Sequence, residues 1–387
     1  MTSSYWLDED RARLPEIGRA RAGPVDVAVV GGGVTGCSCA LALAEAGRRV
    51  RLYEAREVAG GASGRNGGFA LRGGAPAYDA ARAQLGPERA RALWRLTERY
   101  LERMAALAGD AFRRTGSLRL AADADERADL KREYRALRED GFAVEWRDDL
   151  PEPLAGRFAG AIFHPGDGSL QPARWVRRLA AWAAAAGAEV REGHRVESLD
   201  QLEADQVVLA TDGYTRGLLP ELDAAIRPVR GQVLVTDPLR RVLFPCPHYA
   251  RHGYDYWQQT PDRRLVVGGF RDKAPDLEQT AEEETTPLIQ GYLERFAAAL
   301  TGERPRISHR WAGIFGVTSD RLPLAGPVPG REGVWVACGY SGHGNVLGLA
   351  CGKLVAGAIL GRTASELEPF DPGRLLAATG SPRLRRG

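Results

Sequence analysis

PVDVAVVGGGVTGCSCALALAEAGRRVRLYE, residues Pro24–Glu54, decides the fold. The apolar run Val25 to Val30 predicts a strand. Gly31-Gly32-Gly33-Val34-Thr35-Gly36 predicts a tight turn that opens an Ala/Leu-rich helix to about Ala46, and Val50 to Tyr53 predicts a second strand that delivers Glu54. A GxGxxG between strand and helix, with an acid about twenty residues on, is the context that a dinucleotide fingerprint requires. In that reading Gly31 allows the turn, Gly33 lets the backbone approach a pyrophosphate, and Gly36 lets helix and strand pack closely. The N–H groups of the first helical turn, around Val34 and Thr35, face the phosphates. Glu54 accepts the adenosine ribose hydroxyls, and its charge disfavours a 2′-phosphate. Glycine alone is weak support, since the chain has 47 in 387 residues. The strand-turn-helix-strand-acid order carries the reading.

At 387 residues the chain predicts two intimately packed domains rather than one small core. Its hydrophobic content of 44% and charged content of 27% indicate a globular protein, and a formal charge of +3 is small for this size. Much of the obvious basic excess sits in the tail, Arg383 to Arg386, and no basic stripe interleaved with aromatics argues for nucleic acid. No apolar run reaches eighteen residues, and the acidic Asp8-Glu9-Asp10 follows no signal peptide, so a cytoplasmic protein without membrane insertion is expected. The five cysteines, Cys37, Cys39, Cys246, Cys338 and Cys351, make no paired set and have no metal-ligand spacing. Cys37 and Cys39 read as small buried hydrophobes in the fingerprint helix.

Outward from the fingerprint, Gly60 to Gly68 contains Ala62, Ser63, Arg65, Asn66 and Gly67 in a glycine-dense loop unsuited to a packed helix. It suits backbone threaded past a large ligand, with Ser63, Arg65 and Asn66 reaching phosphate or ring heteroatoms. Upstream, Tyr5 and Trp6 precede an Arg/Ala/Pro-rich connector and read either as a loosely held arm or as aromatics docked into a groove. Downstream, the spacing predicts helices over Glu88 to Leu107 and Asp125 to Glu139, with a strand at Gly116 to Leu120 between them. Trp175, Leu179, Trp182 and Ala186 predict one apolar helix stripe. Glu189 to Leu199 predicts a strand whose Val196 passes the adenine edge, and Gln206 to Ala210 another, ending in Thr211-Asp212-Gly213. From Ile226 the runs Gly231 to Val235, Tyr254 to Gln258 and Leu265 to Gly269 favour antiparallel hairpins, and Glu282 to Leu300 a helix. Gly333 to Cys338 then predicts a strand, Gly339-Tyr340-Ser341-Gly342-His343-Gly344 a second glycine turn, and Asn345 to Leu360 a helix. One fingerprint needs one dinucleotide, so the second turn serves the far end of the same large cofactor. The fold class is therefore α/β plus α+β: a Rossmann-like domain assembled from separated segments, with a mostly antiparallel substrate domain.

Together these motifs resemble the D-amino-acid-oxidase-like family of FAD-dependent oxidoreductases, most of all the branch containing gamma-glutamylputrescine oxidase and related amine oxidases. The resemblance rests on Ser4-Tyr5-Trp6, the fingerprint with Glu54, Gly61 to Gly68, Arg230-Gly231-Gln232, Trp311-Ala312-Gly313, Asp320-Arg321-Leu322-Pro323 and Gly339 to Gly344. It implies FAD, with Gly31, Gly33 and Gly36 at the pyrophosphate, Glu54 on the ribose, Ser63 to Gly68 skirting the ribityl chain and isoalloxazine, and Gly342 to Asn345 facing the flavin pyrimidine edge. This chain has Gln171-Pro172 where the family commonly has His-Pro, and it lacks a cysteine in the turn before Asp320, where covalently flavinylated sarcosine oxidases are similar to one another in having one. Noncovalent FAD is expected. The corresponding division is 24–85, 150–225 and 310–362 for the FAD-binding domain, 86–149 and 226–309 for the substrate domain, and 1–23 and 363–387 for terminal extensions.

The implied reaction removes a hydride equivalent from the carbon bearing an amine, giving an imine that water hydrolyses. Oxygen is the expected electron acceptor; a quinone or protein acceptor, or a noncatalytic flavin-binding subunit of an oxidase complex, are the alternatives. Oligomerisation is open. His343 reads as a hydrogen-bond donor at the flavin edge or as a histidine capping its own loop. Tyr254, Tyr256, Trp257, Trp311 and Tyr340 are candidates for an aromatic wall that attracts a cationic or apolar amine, or are core residues. Arg230 reads as a substrate-carboxylate ligand or as a brace for its loop.

Overall fold

The computed structural model describes residues 3–10, 23–363 and 365–376. Val25–Val30 is a strand buried on both faces: Val27 and Val29 join one core with the helices, while Ala28 and Val30 join another with Leu209, Leu222 and Val336. Double burial requires a sheet covered on both sides, the condition of parallel sheets. Six strands form it, in the order Leu324–Pro327, Val334–Cys338, Ala204–Leu209, Val25–Val30, Val50–Tyr53 and Glu189–Arg191. All neighbours are parallel except the Leu324–Pro327 edge. The chain visits this sheet from separated segments, as the sequence order of strands predicts.

Against one face lie the fingerprint helix Val34–Glu45, the helix Gly344–Ile359 and the helix Pro172–Ala185. Small residues set the spacing between the first two. A Cβ on Gly352 would meet the Thr35 carbonyl oxygen at 2.3 Å, so only glycine permits that approach.

The second sheet has eight strands, in the order Ile307–Val317, Arg227–Thr236, Leu265–Gly269, Asp255–Gln259, His248–Ala250, Ser117–Leu120, Ala161–His164 and Glu145–Arg147. It is antiparallel throughout except where His248–Ala250 runs parallel to Ser117–Leu120. The architecture is thus a Rossmann-like sheet beside a mostly antiparallel one. Ile307–Val317 pairs along its length with Arg227–Thr236, so the expected boundary between 309 and 310 falls inside one strand of the antiparallel sheet. Ala161–His164, expected within the nucleotide-binding segment 150–225, is also a strand of this second sheet.

Several local expectations change in the structure. Tyr5 and Trp6 dock: they sit in a short helix, Tyr5–Glu9, and both are buried. The connector at 11–22 and the basic tail at 383–386 lie outside the described residues. Trp182 is 53% exposed although Trp175 and Leu179 are fully buried. The buried face centres on Val176, Ala180 and Ala183, with Trp175 at its edge; at about 100° per residue, position 182 falls roughly 20° beyond that edge. The strand expected over 189–199 ends at Arg191, because the chain turns at Gly193 with φ +70°. The helix expected from Glu282 starts at Pro287, where Thr286 caps it by accepting the Ile289 N–H. No helix among the described residues is long and apolar enough to cross a membrane.

Candidate active site

Between the two sheets lies a cavity of about 1060 Å³, at the upper end of the range for ligand pockets. Three segments that are distant in sequence wall it. The fingerprint contributes Gly33, Val34 and Thr35; the glycine-dense loop contributes Ala62, Ser63, Arg65, Asn66 and Gly67; the second glycine turn contributes Gly342, His343, Gly344 and Asn345.

Side-chain hydrogen bonds fix these walls to one another. The Val34 N–H donates to Ser63 Oγ at 3.1 Å, which ties the loop to the start of the fingerprint helix. The Asn345 amide donates to the Phe69 carbonyl at 2.7 Å and meets the Asn66 amide at 3.2 Å. Arg65 is buried, donating to the carbonyls of Gly60 and Ala312 and facing Glu283 at 3.8 Å. Asp212 joins all of this to the antiparallel sheet: its carboxylate accepts N–H groups from Gly316 at 2.9 Å and Gly339 at 2.8 Å. Burial pushes the Asp212 carboxyl above its ordinary range, against those N–H donors.

From outside, the N-terminal helix braces the loop. Ser4 Oγ donates to the Gly64 carbonyl at 2.7 Å, and the Trp6 indole N–H to the Asn66 carbonyl at 2.8 Å.

Tyr256 forms part of the opposite wall. Its ring is wedged among glycines: a Cβ on Gly268 would meet it at 2.2 Å and one on Gly67 at 2.9 Å. Phe69 packs edge-on at 5.9 Å between centroids, and burial pushes the phenol up to about 12. His343 lines the cavity at the N-terminus of Gly344–Ile359, and its Nδ1 is a buried atom without a hydrogen-bond partner among the described residues. Burial, followed by the positive charges of Arg119, Arg271 and Arg321, holds the imidazole down to about 4. It is therefore neutral at neutral pH, with one N–H to donate.

Other expected site residues lie outside this lining. Arg230 needs correction as a carboxylate ligand: the place of a substrate carboxylate is filled by Glu278, which it grips at 2.9 and 3.0 Å in a buried pair. It braces the short helix Pro275–Glu278, donating also to the Leu277 carbonyl at 3.0 Å. Trp311 is fully buried, donating its indole N–H to the Arg65 carbonyl at 2.9 Å, so it backs the cofactor loop without reaching the cavity surface. Gly31 and Gly36 close the fingerprint from behind; a Cβ on Gly36 would meet the Gly31 oxygen at 1.9 Å. Gly68, with φ +77°, packs under Gln258.

Glu54 is buried beside the fingerprint, accepting the N–H groups of Gly32 at 2.7 Å and Arg56 at 2.9 Å. Val196 packs against the core on the far face of the parallel sheet, and Thr211 shares a hydrogen bond with Thr215.

Some cavity residues carried no local sequence signal. Arg119, Tyr249, Arg271 and Phe315 all line it, joined by Arg321 of the Asp320–Pro323 motif. They come from separate strands and loops, brought together by sheet order alone.

The FAD dependent oxidoreductase family model matches residues 26–358. This chain belongs to that family. The match spans both sheets and every wall of the cavity, and it makes the protein an enzyme of the FAD-dependent class. The chain is 29% identical to gamma-glutamylputrescine oxidoreductase of Escherichia coli, over 96% of this chain and 91% of that one. It is 30% identical to glycine oxidase of Geobacillus kaustophilus, over 92% and 98%. The crystal structure of the glycine oxidase from Geobacillus kaustophilus superposes with a TM-score of 0.77 at 26% identity, covering 91% of this chain and 99% of that one. Identity to the two relatives is nearly equal, so the comparison does not single out the gamma-glutamylputrescine branch. Family membership supports FAD as cofactor, and the three glycine-rich segments wall one cavity of about 1060 Å³.

Proposed function

We propose that the protein oxidises the C–N bond of a small amine or amino acid, using noncovalently held FAD, and that oxygen takes the electrons to give hydrogen peroxide. The observation that carries this reading is the meeting of the two outer glycine elements in one cavity, with the unpartnered Nδ1 of a neutral histidine at its wall. When bound, the flavin supplies a hydride acceptor. The chain's own residues do the rest. The Gly33 and Thr35 N–H groups, with the Ser63 hydroxyl that the Val34 N–H holds in place, hold phosphate, and Glu54 receives ribose hydroxyls with the lone pairs its two backbone donors leave open. Asn66 and Asn345 keep the loop at a fixed distance from the second glycine turn. The N-terminus of the Gly344–Ile359 helix and the His343 N–H stabilise negative charge developing at the ring edge.

Tyr256, across the cavity, confines the amine carbon and excludes water. Hydride loss is easiest from an unprotonated amine, so no strong side-chain base is required. No cysteine lines the cavity among the described residues, and all five thiols are buried, which supports a noncovalent cofactor.

The test is an anaerobic visible spectrum of the purified protein before and after adding glycine and other amino acids, N-methyl amino acids, gamma-glutamylputrescine and polyamines. Bleaching of an oxidised-flavin band, followed by recovery and peroxide release in air, is expected. A protein that binds no flavin after incubation with FAD overturns the reading.

A further inference from the structure

We infer that a buried water site bounded by Tyr249, Arg119, His164 and Ser117 passes protons between the cavity and Asp167, a carboxylate behind the cavity wall. This deepens the proposed function and rests on it for the proton donor, the ammonium of the substrate. Tyr256, Tyr249 and Arg119 all line the cavity, and they are register partners across three neighbouring strands, one row on one face of the antiparallel sheet. Ser117 lies two residues before Arg119 on the same strand, so its side chain is on that face too, and His164 is its partner on the next strand. Ser117 Oγ donates to Asp167 Oδ2 at 2.7 Å, and the Arg72 N–H donates to Asp167 Oδ1 at 2.9 Å. A run of side chains thus leads from the cavity wall to a carboxyl that is only 2% exposed.

Unpaired groups along this run supply the partners of a water. Arg72 Nη2 lies 3.2 Å from His164 Nδ1 and can only donate, so that nitrogen accepts and the neutral imidazole carries its proton on Nε2. Burial, with the charges of Arg72 and Arg119, keeps the ring neutral. His164 Nε2 and Arg119 Nε are buried without hydrogen-bond partners among the described residues, and the Tyr249 hydroxyl has none there either. Two fixed donors, and the Tyr249 and Ser117 hydroxyls that rotate to suit, give a buried water at least its usual three partners. A proton that reaches Tyr249 moves on through the water to Ser117, whose own proton passes to Asp167.

The cavity lining offers no ready acceptor of its own. His343 is held to about 4, Asp212 is satisfied by backbone N–H groups, and Asp320 pairs with Arg374 at 2.6 Å. Around Asp167 stand Arg72 and Glu98, His164 in its own turn, Arg119 beyond Ser117, and the Cys246 thiol and Tyr249 phenol. Burial raises its carboxyl to about 6, against the Arg72 charge and the donors from Ser117 and Arg72, so it is ionised at neutral pH and still able to take a proton. The ammonium N–H breaks with its electron pair left on nitrogen, and the proton goes to Asp167. The carbon then gives up its hydride, and oxygen takes up that hydride equivalent with the proton that Asp167 returns, which closes the balance at protonated imine and hydrogen peroxide.

The test uses the FAD-loaded protein and two variants, Asp167→Asn and Ser117→Ala, with bound-flavin absorbance confirming that each is folded. Infrared difference spectra between pH 5 and pH 8 are expected to show a buried carboxyl with a midpoint of about 6. It should be absent from Asp167→Asn and shifted upward in Ser117→Ala, which loses a donor to the ionised form. In stopped flow at pH 7, with an amine that bleaches the flavin, both variants are expected to be reduced at least tenfold more slowly than the parent. Near pH 10, where the amine arrives largely deprotonated, they should come within twofold of it. Equal slowing at both pH values marks structural damage and overturns the relay, as does the absence of the carboxyl band. A flavin that no amine bleaches overturns the proposed reaction, and the infrared titration then still decides whether Asp167 exchanges protons beside Ser117. Reduction of both variants at the parent rate at pH 7 overturns the relay alone.

Discussion

Replacing Gly36 with alanine sets two effects of known size against each other. In a helix interior, alanine is favoured over glycine by about 1 kcal/mol. Against this, the new Cβ would stand 1.9 Å from the Gly31 carbonyl oxygen and 3.1 Å from its carbon. An ordinary contact needs roughly 3.5 Å, so the helix must withdraw from the strand by about 1.5 Å. It cannot do so freely, because its other side is already against Gly352, where a Cβ would be 2.3 Å from the Thr35 oxygen. Nor can Gly31 yield readily, since its own φ is +111° and a Cβ there would meet the Ala210 oxygen at 2.5 Å. Overpacking in such a confined place costs at least the upper end of the usual 1–3 kcal/mol, and backbone-to-backbone contact places it above that range, at about 4 kcal/mol. The net loss is then ~3 kcal/mol. With an unfolding entropy of about 2.1 cal/mol/K per residue, this chain's melting temperature falls by roughly 4 °C. Differential scanning fluorimetry of the FAD-free protein reads the fall, and gel filtration with absorbance detection reads FAD retention, which should drop with it. A variant that melts at or above the parent and keeps stoichiometric FAD would refute the close-packing argument.

Gly33→Val should abolish FAD retention while leaving a folded chain, because its Cβ meets Ser63 Oγ at 2.9 Å and its branches enter the phosphate wall; stoichiometric FAD after purification contradicts this. His343→Ala should slow anaerobic flavin reduction at least tenfold with FAD still bound, as stopped-flow absorbance will show. An unchanged rate removes His343 from the chemistry. His343 also has a pH signature. Its folded value of about 4 lies below the ordinary 6.5, so the unfolded chain binds more protons between those limits. Its stabilising contribution is complete above pH 6.5 and declines as pH falls toward 4, and urea midpoints of His343→Asn should lose less over that window than those of the parent. Trp6→Ala removes the indole donor to the Asn66 carbonyl and the ring beneath Gly68. FAD release by that variant should be several-fold faster than from the parent, with little change in the rate of reduction once FAD is bound.

The parallel sheet was readable because its signals are local. Val25 to Glu54 carries its strand, turn, helix and acid in continuous chain, and each helical or strand period appears within a window of a few residues. Elements were misjudged where a local pattern met a tertiary boundary. Trp182 continues the apolar sequence stripe but lies just beyond the edge that the sheet covers. Glu282 to Glu284 extend the helical pattern, yet Thr286 and Pro287 start the helix later, and Glu283 instead reaches Arg56 at 2.6 Å. Residues from 310 on read as part of the segment leading back to the nucleotide domain, whereas ten of the eleven residues of Ile307–Val317 pair with Arg227–Thr236.

The charged wall of the cavity was illegible for a deeper reason. Arg230 lies within the strand Arg227–Thr236 and Arg271 just after Leu265–Gly269, and only the first belongs to a stretch singled out in the sequence, Arg230-Gly231-Gln232. Their roles depend on which carboxylate arrives beside each, and that is fixed by chain far away. Glu278 folds back on Arg230 and neutralises it, while Arg271 lies over the Tyr254 ring and beside the Phe315 ring, contributed by a strand more than forty residues later. Charge availability in a cavity is therefore a property of the assembled sheet, not of a motif. The glycine-rich walls, by contrast, are mostly backbone: their glycines and helix starts present N–H groups and permit close approach, features that the sequence displays directly.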